Sequence, residues 1–201
     1  MAKSDPLAFT TSALPLSLDQ WTTSAPVEDL VVRDWLQSLE ALPSKLQALE
    51  SEPVRIKVLE QCLSILSAEQ QETLHALHAN CLLRELELRA AGTAMIYVQL
   101  VIPDATLRAY PWLAELADSD LDTLLEGMPG ITRGEFEFSQ LSAEHGLAQR
   151  AQVKIEAGER AAVFARRRVL TLNGHALLVQ EVFLPTLWSP AANRVVLVAS
   201  E

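Results

Sequence analysis

Asn173-Gly174 sits between two runs of about ten residues each, 161–172 and 175–184, both rich in β-branched and apolar side chains. A two-residue hairpin loop of the favoured type needs positive φ at both central positions, and Asn-Gly meets that need at little cost. The pair therefore predicts an antiparallel hairpin of two long strands. An isolated hairpin is not stable in water, so the rest of the chain must supply more strands and a covering layer. A second hairpin is predicted at 80–89 and 94–102, joined by Ala90-Ala91-Gly92.

Other elements follow from periodicity and end signals. Leu30, Val31, Trp35, Leu39, Leu42, Leu46 and Leu49 recur at three and four, a helical period over residues 27–49 broken at Pro43. Val54, Ile56 and Val58 alternate with Arg55 and Lys57, which predicts a strand. Ser67-Ala68-Glu69-Gln70 has the capping-box pattern and should open a helix running to about His78. A further helix is predicted around 112–125, then a loop at Gly127–Gly130, weak alternation over 131–139, and a polar stretch at 142–160 with no clear period. Pro185 and Pro190 close the sheet region. The expected class is α+β: an antiparallel sheet with helices in its connections, as one domain over residues 21–201 behind an irregular lead-in at 1–20.

The 201 residues are 49% hydrophobic and 21% charged, which suits a folded globular chain and not a disordered one. Lys and Arg total 16 against 26 Asp and Glu, a formal net charge of −10. That balance argues against nucleic acid as a partner and against a polybasic membrane surface. An anionic ligand would have to be met by a local basic pocket. No segment has the length of apolar residues that a membrane span needs, and the first residues lack the apolar core of a secretory signal. A cytoplasmic monomer is the expectation. Cys62 and Cys81 form no CxxC pair, and His75, His78, His145 and His175 form no metal signature; both cysteines are expected to be buried and reduced.

Residues two apart in a strand share a face. Arg84 then falls among Leu82, Leu86 and Leu88, and Glu181 among Leu177, Val179 and Phe183. In the partner run Arg167 shares a face with Val163, Ala165 and Val169, with Arg166 and Arg168 opposite; Gln99 lies with Met95, Tyr97 and Val101. A buried charge without a partner costs several kcal/mol, so Arg84 and Glu181 must meet something. They form either a structural salt bridge across the sheet or one polar pocket, with an arginine fork for a carboxylate and a glutamate for a hydroxyl or proton.

Several segments resemble the chorismate pyruvate-lyases (4-hydroxybenzoate synthases). Leu83-Arg84-Glu85, Ala91-Gly92 and Val101-Ile102-Pro103 are similar to that family's central hairpin. Phe164-Ala165-Arg166-Arg167, Asn173-Gly174 and Leu177-Leu178-Val179-Gln180-Glu181-Val182-Phe183-Leu184-Pro185 resemble its closing hairpin, and Asp34-Trp35-Leu36 with Leu42 its first helix and the segment after it. The likeness spans most of residues 30–188, and Glu-x-Phe-Leu-Pro is its most specific part. It implies an enclosed pocket in which chorismate loses its enolpyruvyl group to give 4-hydroxybenzoate and pyruvate, at the head of ubiquinone synthesis, with no metal or organic cofactor. It further implies Arg84 on the ring carboxylate, Glu181 on the ring hydroxyl, and main-chain contacts at Leu42 and Leu121. Arg167 is the expected partner of the enolpyruvyl carboxylate. The chain departs from the pattern at Asp122, where the family carries glycine, at Gln99 for an arginine, and at Phe164 for a tryptophan; 142–160 resembles an insertion. A non-catalytic aromatic-acid binder of the same fold, like the ligand-sensing domains of bacterial regulators, is the alternative.

Overall fold

The computed structural model describes residues 18–116, 118–119, 121–151 and 163–188; most of the lead-in, residues 152–160 and Pro190 lie outside them. Helices α1 (Leu30–Gln37) and α2 (Leu42–Gln47) precede strand β1 (Arg55–Ile65) and helix α3 (Ala68–Thr73). The hairpin β2 (Asn80–Ala90) and β3 (Thr93–Pro103) leads into α4 (Asp104–Ala109), a 3-10 turn at Pro111–Ala114 and α5 (Leu121–Leu124). Short strands β4 (Ile131–Arg133) and β5 (Glu137–Leu141) and helix α6 (Gly146–Arg150) come before the closing hairpin, β6 (Val163–Leu172) and β7 (His175–Phe183). The strands form one antiparallel sheet in the order β1-β2-β3-β7-β6-β4, with β5 also paired to β6.

Both predicted hairpins form. Asn173 and Gly174 have φ of 44° and 90°, and Leu172 pairs with His175. The turn is tied down from outside: the Asn173 main-chain N–H donates to the Gly130 carbonyl at 2.9 Å, and its amide donates to the Tyr110 hydroxyl at 3.0 Å. Gly130 (φ 77°) has no room for a side chain, since a Cβ there would lie 1.9 Å from Asn173 Oδ1. In the central hairpin Leu88 faces Ile96 while Arg89 faces Ala94, so Met95 is an extra, bulged residue. The bulge turns Met95 into the apolar core, away from the face of Tyr97 and Gln99 that strict alternation assigns to it.

Three helical expectations change. Residues 27–49 make two helices. Asp29 caps α1 by accepting from the Val31 and Val32 N–H groups at 2.8 and 3.1 Å, and Pro43 lies at the start of α2, where its missing donor costs nothing. The capping box of α3 is present, but the helix ends at Thr73 and His75 takes φ 48°. Residues 112–125 do not make one helix. Asp118 and Ser119 fall between the 3-10 turn and α5, residue types that compete with helical hydrogen bonding through their own side chains.

The sheet separates two environments. One face carries Leu82, Leu86, Val98, Leu100, Leu177 and Phe183 and is covered by α1, α2, the 3-10 turn and α5 through Trp35, Leu36, Leu46, Leu113 and Leu121. The other carries smaller apolar clusters around Tyr97, Val182 and Leu178, interrupted by buried polar groups. Cys81 is buried but Cys62 is only partly so, because β1 is a sheet edge.

A β-branched residue at position 174 has open space around it but the wrong backbone. Gly174→Val should cost about 2 kcal/mol and lower Tm by roughly 4–8 °C in a thermal melt, with secondary structure below the transition unchanged.

Candidate active site

Between the apolar face and helices α2 and α5 lies an enclosed cavity bounded by Leu42, Pro43, Leu86, Val98, Leu121 and Glu181, with Asp122 at its edge. Its volume is about 30 Å³, room for a water or two. Leu42 and Leu121 are the first residues of α2 and α5, so their main-chain N–H groups lack intrahelical acceptors.

Glu181 reaches this cavity because β7 alternates and because β3 and β6 flank it, with Val98 and Arg166 as its cross-strand neighbours. It is 7% exposed. Its Oε2 accepts from Nε of Arg166, which is 2% exposed and is among the largest fully buried side chains of the described residues. The Arg166 Nη1 also donates to the carbonyls of Leu36 (3.1 Å) and Ser38 (2.6 Å), with a longer contact to Trp35 (3.4 Å), and its guanidinium lies 4.2 Å from the centre of the Phe136 ring. Arg166 therefore ends α1 and fixes Glu181 at once.

Arg84 shares this face, one pleat further along β2, and is 3% exposed. Its Nη1 donates to Gln61 Oε1 at 2.6 Å, and Gln61 Nε2 donates to the Ala114 carbonyl at 2.8 Å. Gln61 thus holds the guanidinium on the cavity face of the sheet, but Arg84 does not itself line the cavity. Burial pulls its pKa below the ordinary arginine value, and the nearby Asp118 carboxylate opposes that shift. Arg84 and Glu181 do not pair with each other; each has its own partner, so the salt-bridge alternative is set aside.

Arg167 does not join the group. It points to the other face, where it bonds Glu137 at 2.7 Å and Glu69 and lies 4.3 Å from the Trp21 ring centre. On β6 the arginines on the cavity side are Arg166 and Arg168. The Arg168 Nη2 meets both carboxylate oxygens of Asp122 at 2.7 Å. A signal for the Arg166–Glu181 pair was present in the sequence: the seventh residue back from the two-residue turn on β6 stands opposite the seventh residue on along β7.

Gln99, on the far face, belongs to a separate network. Its amide donates to Glu85 (3.1 Å) and the Tyr97 hydroxyl (3.3 Å), and Arg150 also binds Glu85. Burial pushes the Glu85 carboxyl up, but the hydrogen bonds from Arg150, Tyr97 and Gln99 outweigh it and hold the pKa below the usual glutamate range. Burial, with Glu85 adjacent, pushes Tyr97 above its usual value. Among the described residues no cluster of His, Cys, Asp and Glu could hold a metal ion, and no helix is long and apolar enough to cross a membrane.

A family model described as chorismate lyase matches residues 16–193. The chain belongs to the chorismate lyase family. It is 30% identical over 175 residues to the probable chorismate pyruvate-lyase of Pseudoalteromonas translucida, covering 85% of this chain and 95% of that one. Against the probable chorismate pyruvate-lyase of Nitrosomonas eutropha it is 31% identical, covering 86% and 96%. Among solved structures, the C-terminal domain of PhnF superposes with a TM-score of 0.52 at 17% identity, over 66% of this chain and 83% of that domain. The C-terminal domain of the histidine utilization repressor from Pseudomonas syringae gives 0.51 at 13%, over 66% and 92%. These likenesses carry the fold alone, and they agree with the antiparallel α+β class expected for a lyase of this family.

Two stability tests follow. Arg166→Met leaves Glu181 buried without its counter-charge and should cost about 3–5 kcal/mol in urea denaturation; adding Glu181→Gln should restore much of that loss. For Glu85 the folded pKa is depressed, so its contribution is fully present above the unfolded value and is lost as pH falls through the folded one. Glu85→Gln should lower Tm at pH 7 and flatten the fall in Tm below about pH 4.3, the ordinary glutamate pKa.

Proposed function

We propose that this protein is a chorismate pyruvate-lyase, which cleaves chorismate to 4-hydroxybenzoate and pyruvate and so supplies the aromatic precursor of ubiquinone as a cytoplasmic monomer. The observation that carries the reading is that Arg84 and Glu181 share one largely apolar face of the sheet. Arg84 and Glu181 lie two strands and one pleat apart, roughly 12 Å between Cα atoms by ordinary sheet spacings. A ring with a carboxylate at one end and a hydroxyl at the other fits between two such side chains.

In this reading Arg84 releases Gln61 and takes the ring carboxylate with its planar fork, helped by the main-chain N–H groups of Leu42 and Leu121. Glu181, kept in place by Arg166, accepts a hydrogen bond from the ring hydroxyl. The elimination breaks the bond between the ring carbon and the enol-ether oxygen, and the electron pair leaves on that oxygen. The neighbouring ring carbon, which carries the hydroxyl, loses its proton, and the ring becomes aromatic. The leaving enol gains a proton and ends as pyruvate. Aromatisation supplies the driving force, so the protein's part is to hold one reactive shape in a site without bulk water and to stabilise charge on the leaving oxygen. A cavity of about 30 Å³ is smaller than such a ring, so α2 and α5 have to part for it to enter.

The second reading, a non-catalytic aromatic-acid binder, is favoured by Asp122 at the cavity edge. Incubation of the protein with chorismate, followed by absorbance of 4-hydroxybenzoate, separates the two: the lyase reading expects turnover that survives EDTA, the binder expects affinity without turnover. Arg84→Ala should weaken 4-hydroxybenzoate binding by about 2–4 kcal/mol, or about 30- to 1000-fold, with Arg84→Lys a partial rescue. Glu181→Gln should lose less affinity but more turnover. Unchanged affinity in Arg84→Ala would sink the assignment.

A further inference from the structure

Chorismate carries two carboxylates, one on the ring and one on the enolpyruvyl arm, whereas 4-hydroxybenzoate keeps only the first. If Arg84 takes the ring carboxylate, a second cation is needed only for the substrate. The cavity side of the sheet offers two more arginines, and they are not equivalent. Arg166 is committed: Glu181 and the carbonyls at the end of α1 occupy it. Arg168 is engaged through Nη2 alone, by Asp122, and no other hydrogen bond to its guanidinium is formed among the described residues. Its Nε and Nη1 donors remain for a ligand.

Arg168 does not itself line the cavity, but three observations set it directly behind the wall that Asp122 and Glu181 share. Arg168 is two residues from Arg166 on the same face, and its cross-strand neighbour Val179 is two residues from Glu181. Its partner Asp122 lies in the cavity wall together with Glu181 and Val179. The guanidinium is packed 4.6 Å from the centre of the Phe136 ring and the residue is 7% exposed, so its position is set by packing and not by solvent. The site also shows its own chemistry, since what it holds is a carboxylate with both oxygens at 2.7 Å. Arg133 Nε, 3.6 Å from Asp122 Oδ1, is placed to receive Asp122 if it moves.

We propose that Arg168 is the receptor for the enolpyruvyl carboxylate and that Asp122 occupies it until the substrate displaces it. This rests on the lyase reading of the same cavity. The exchange of one carboxylate for another keeps Arg168 paired throughout, which avoids leaving a buried cation alone. It also makes Asp122 a competitor for dicarboxylate ligands only, so the pair sets discrimination between substrate and product.

The test measures two affinities in each variant: KM for chorismate, and Kd for 4-hydroxybenzoate by titration. Arg168→Gln should raise KM by about ten- to a hundredfold, the range for losing one charge-assisted contact, and leave the 4-hydroxybenzoate Kd within about twofold. Asp122→Asn, which keeps size and frees the arginine, should lower KM several-fold and leave the Kd unchanged. The double variant carries no unpaired charge, so it guards against misfolding, and it should share the KM of Arg168→Gln. Equal losses for both ligands in these variants would make the pair structural and overturn the proposal. So would an unchanged KM in Arg168→Gln. A wild-type protein that neither converts chorismate nor binds 4-hydroxybenzoate overturns the lyase reading itself, a result distinct from either of these.

Discussion

The buried guanidinium of Arg166 is where the first helix, the closing hairpin and the cavity are joined. Removing a cation from water is costly unless its donors are met, and here one carboxylate, the carbonyl ends of a helix and an aromatic face meet them together. Each partner is constrained in turn. Helix α1 stops at Gln37 with its terminal carbonyls turned to the arginine, so the chain leaves it in the direction that brings Leu42 over the sheet. Among the described residues one oxygen of Glu181 is engaged, by Arg166. A carboxylate held in this way is fixed in position before anything meets it.

The two sheet faces divide the work. The cavity face is apolar apart from a few charges on β2, β6 and β7, and its covering layer is made of short pieces (α1, α2, the 3-10 turn and α5) with no long helix to tie them together. Short covering elements bury little area each, so they can move apart at modest cost. The far face is tied by a different device, the network of Glu85, Gln99, Tyr97 and Arg150, which cross-links the middle of the sheet.

Much of this was legible in the sequence because it depends on short-range rules. Asn-Gly and Ala-Gly mark turns by their φ requirements, and a period of two places Arg84 and Glu181 on apolar faces without any knowledge of partners. What was not legible needed register or tertiary contact. Arg167 was expected at the cavity because face assignment within one strand does not say which face of the next strand it matches; the turn length does. Met95 changes face through a bulge that nothing local announces. Residues 112–125 have helical spacing of Trp112, Leu113, Leu116 and Leu121, yet Asp118 and Ser119 break it. The pairing of Asp122 with Arg168 joins residues 46 positions apart and has no sequence signal at all.

The Asn173-Gly174 turn has one more meaning, for how this chain can change over evolutionary time. Two loop residues place Leu172 against His175 and, with that, every pair down the hairpin. Most substitutions within the strands alter only local contacts, Arg166 and Glu181 being the exceptions. A single inserted residue at the tip, with no bulge to absorb it, would slip β6 by one position, and the pleat would send Arg167 into the cavity while Arg166 and Arg168 turned outward. Glu181 would lose its counter-ion, α1 its anchor and Asp122 its partner in the same event. Lineages of this protein should therefore drift in residue identity at the apolar positions of β6 and β7 long before they tolerate a change in the length of the loop between them.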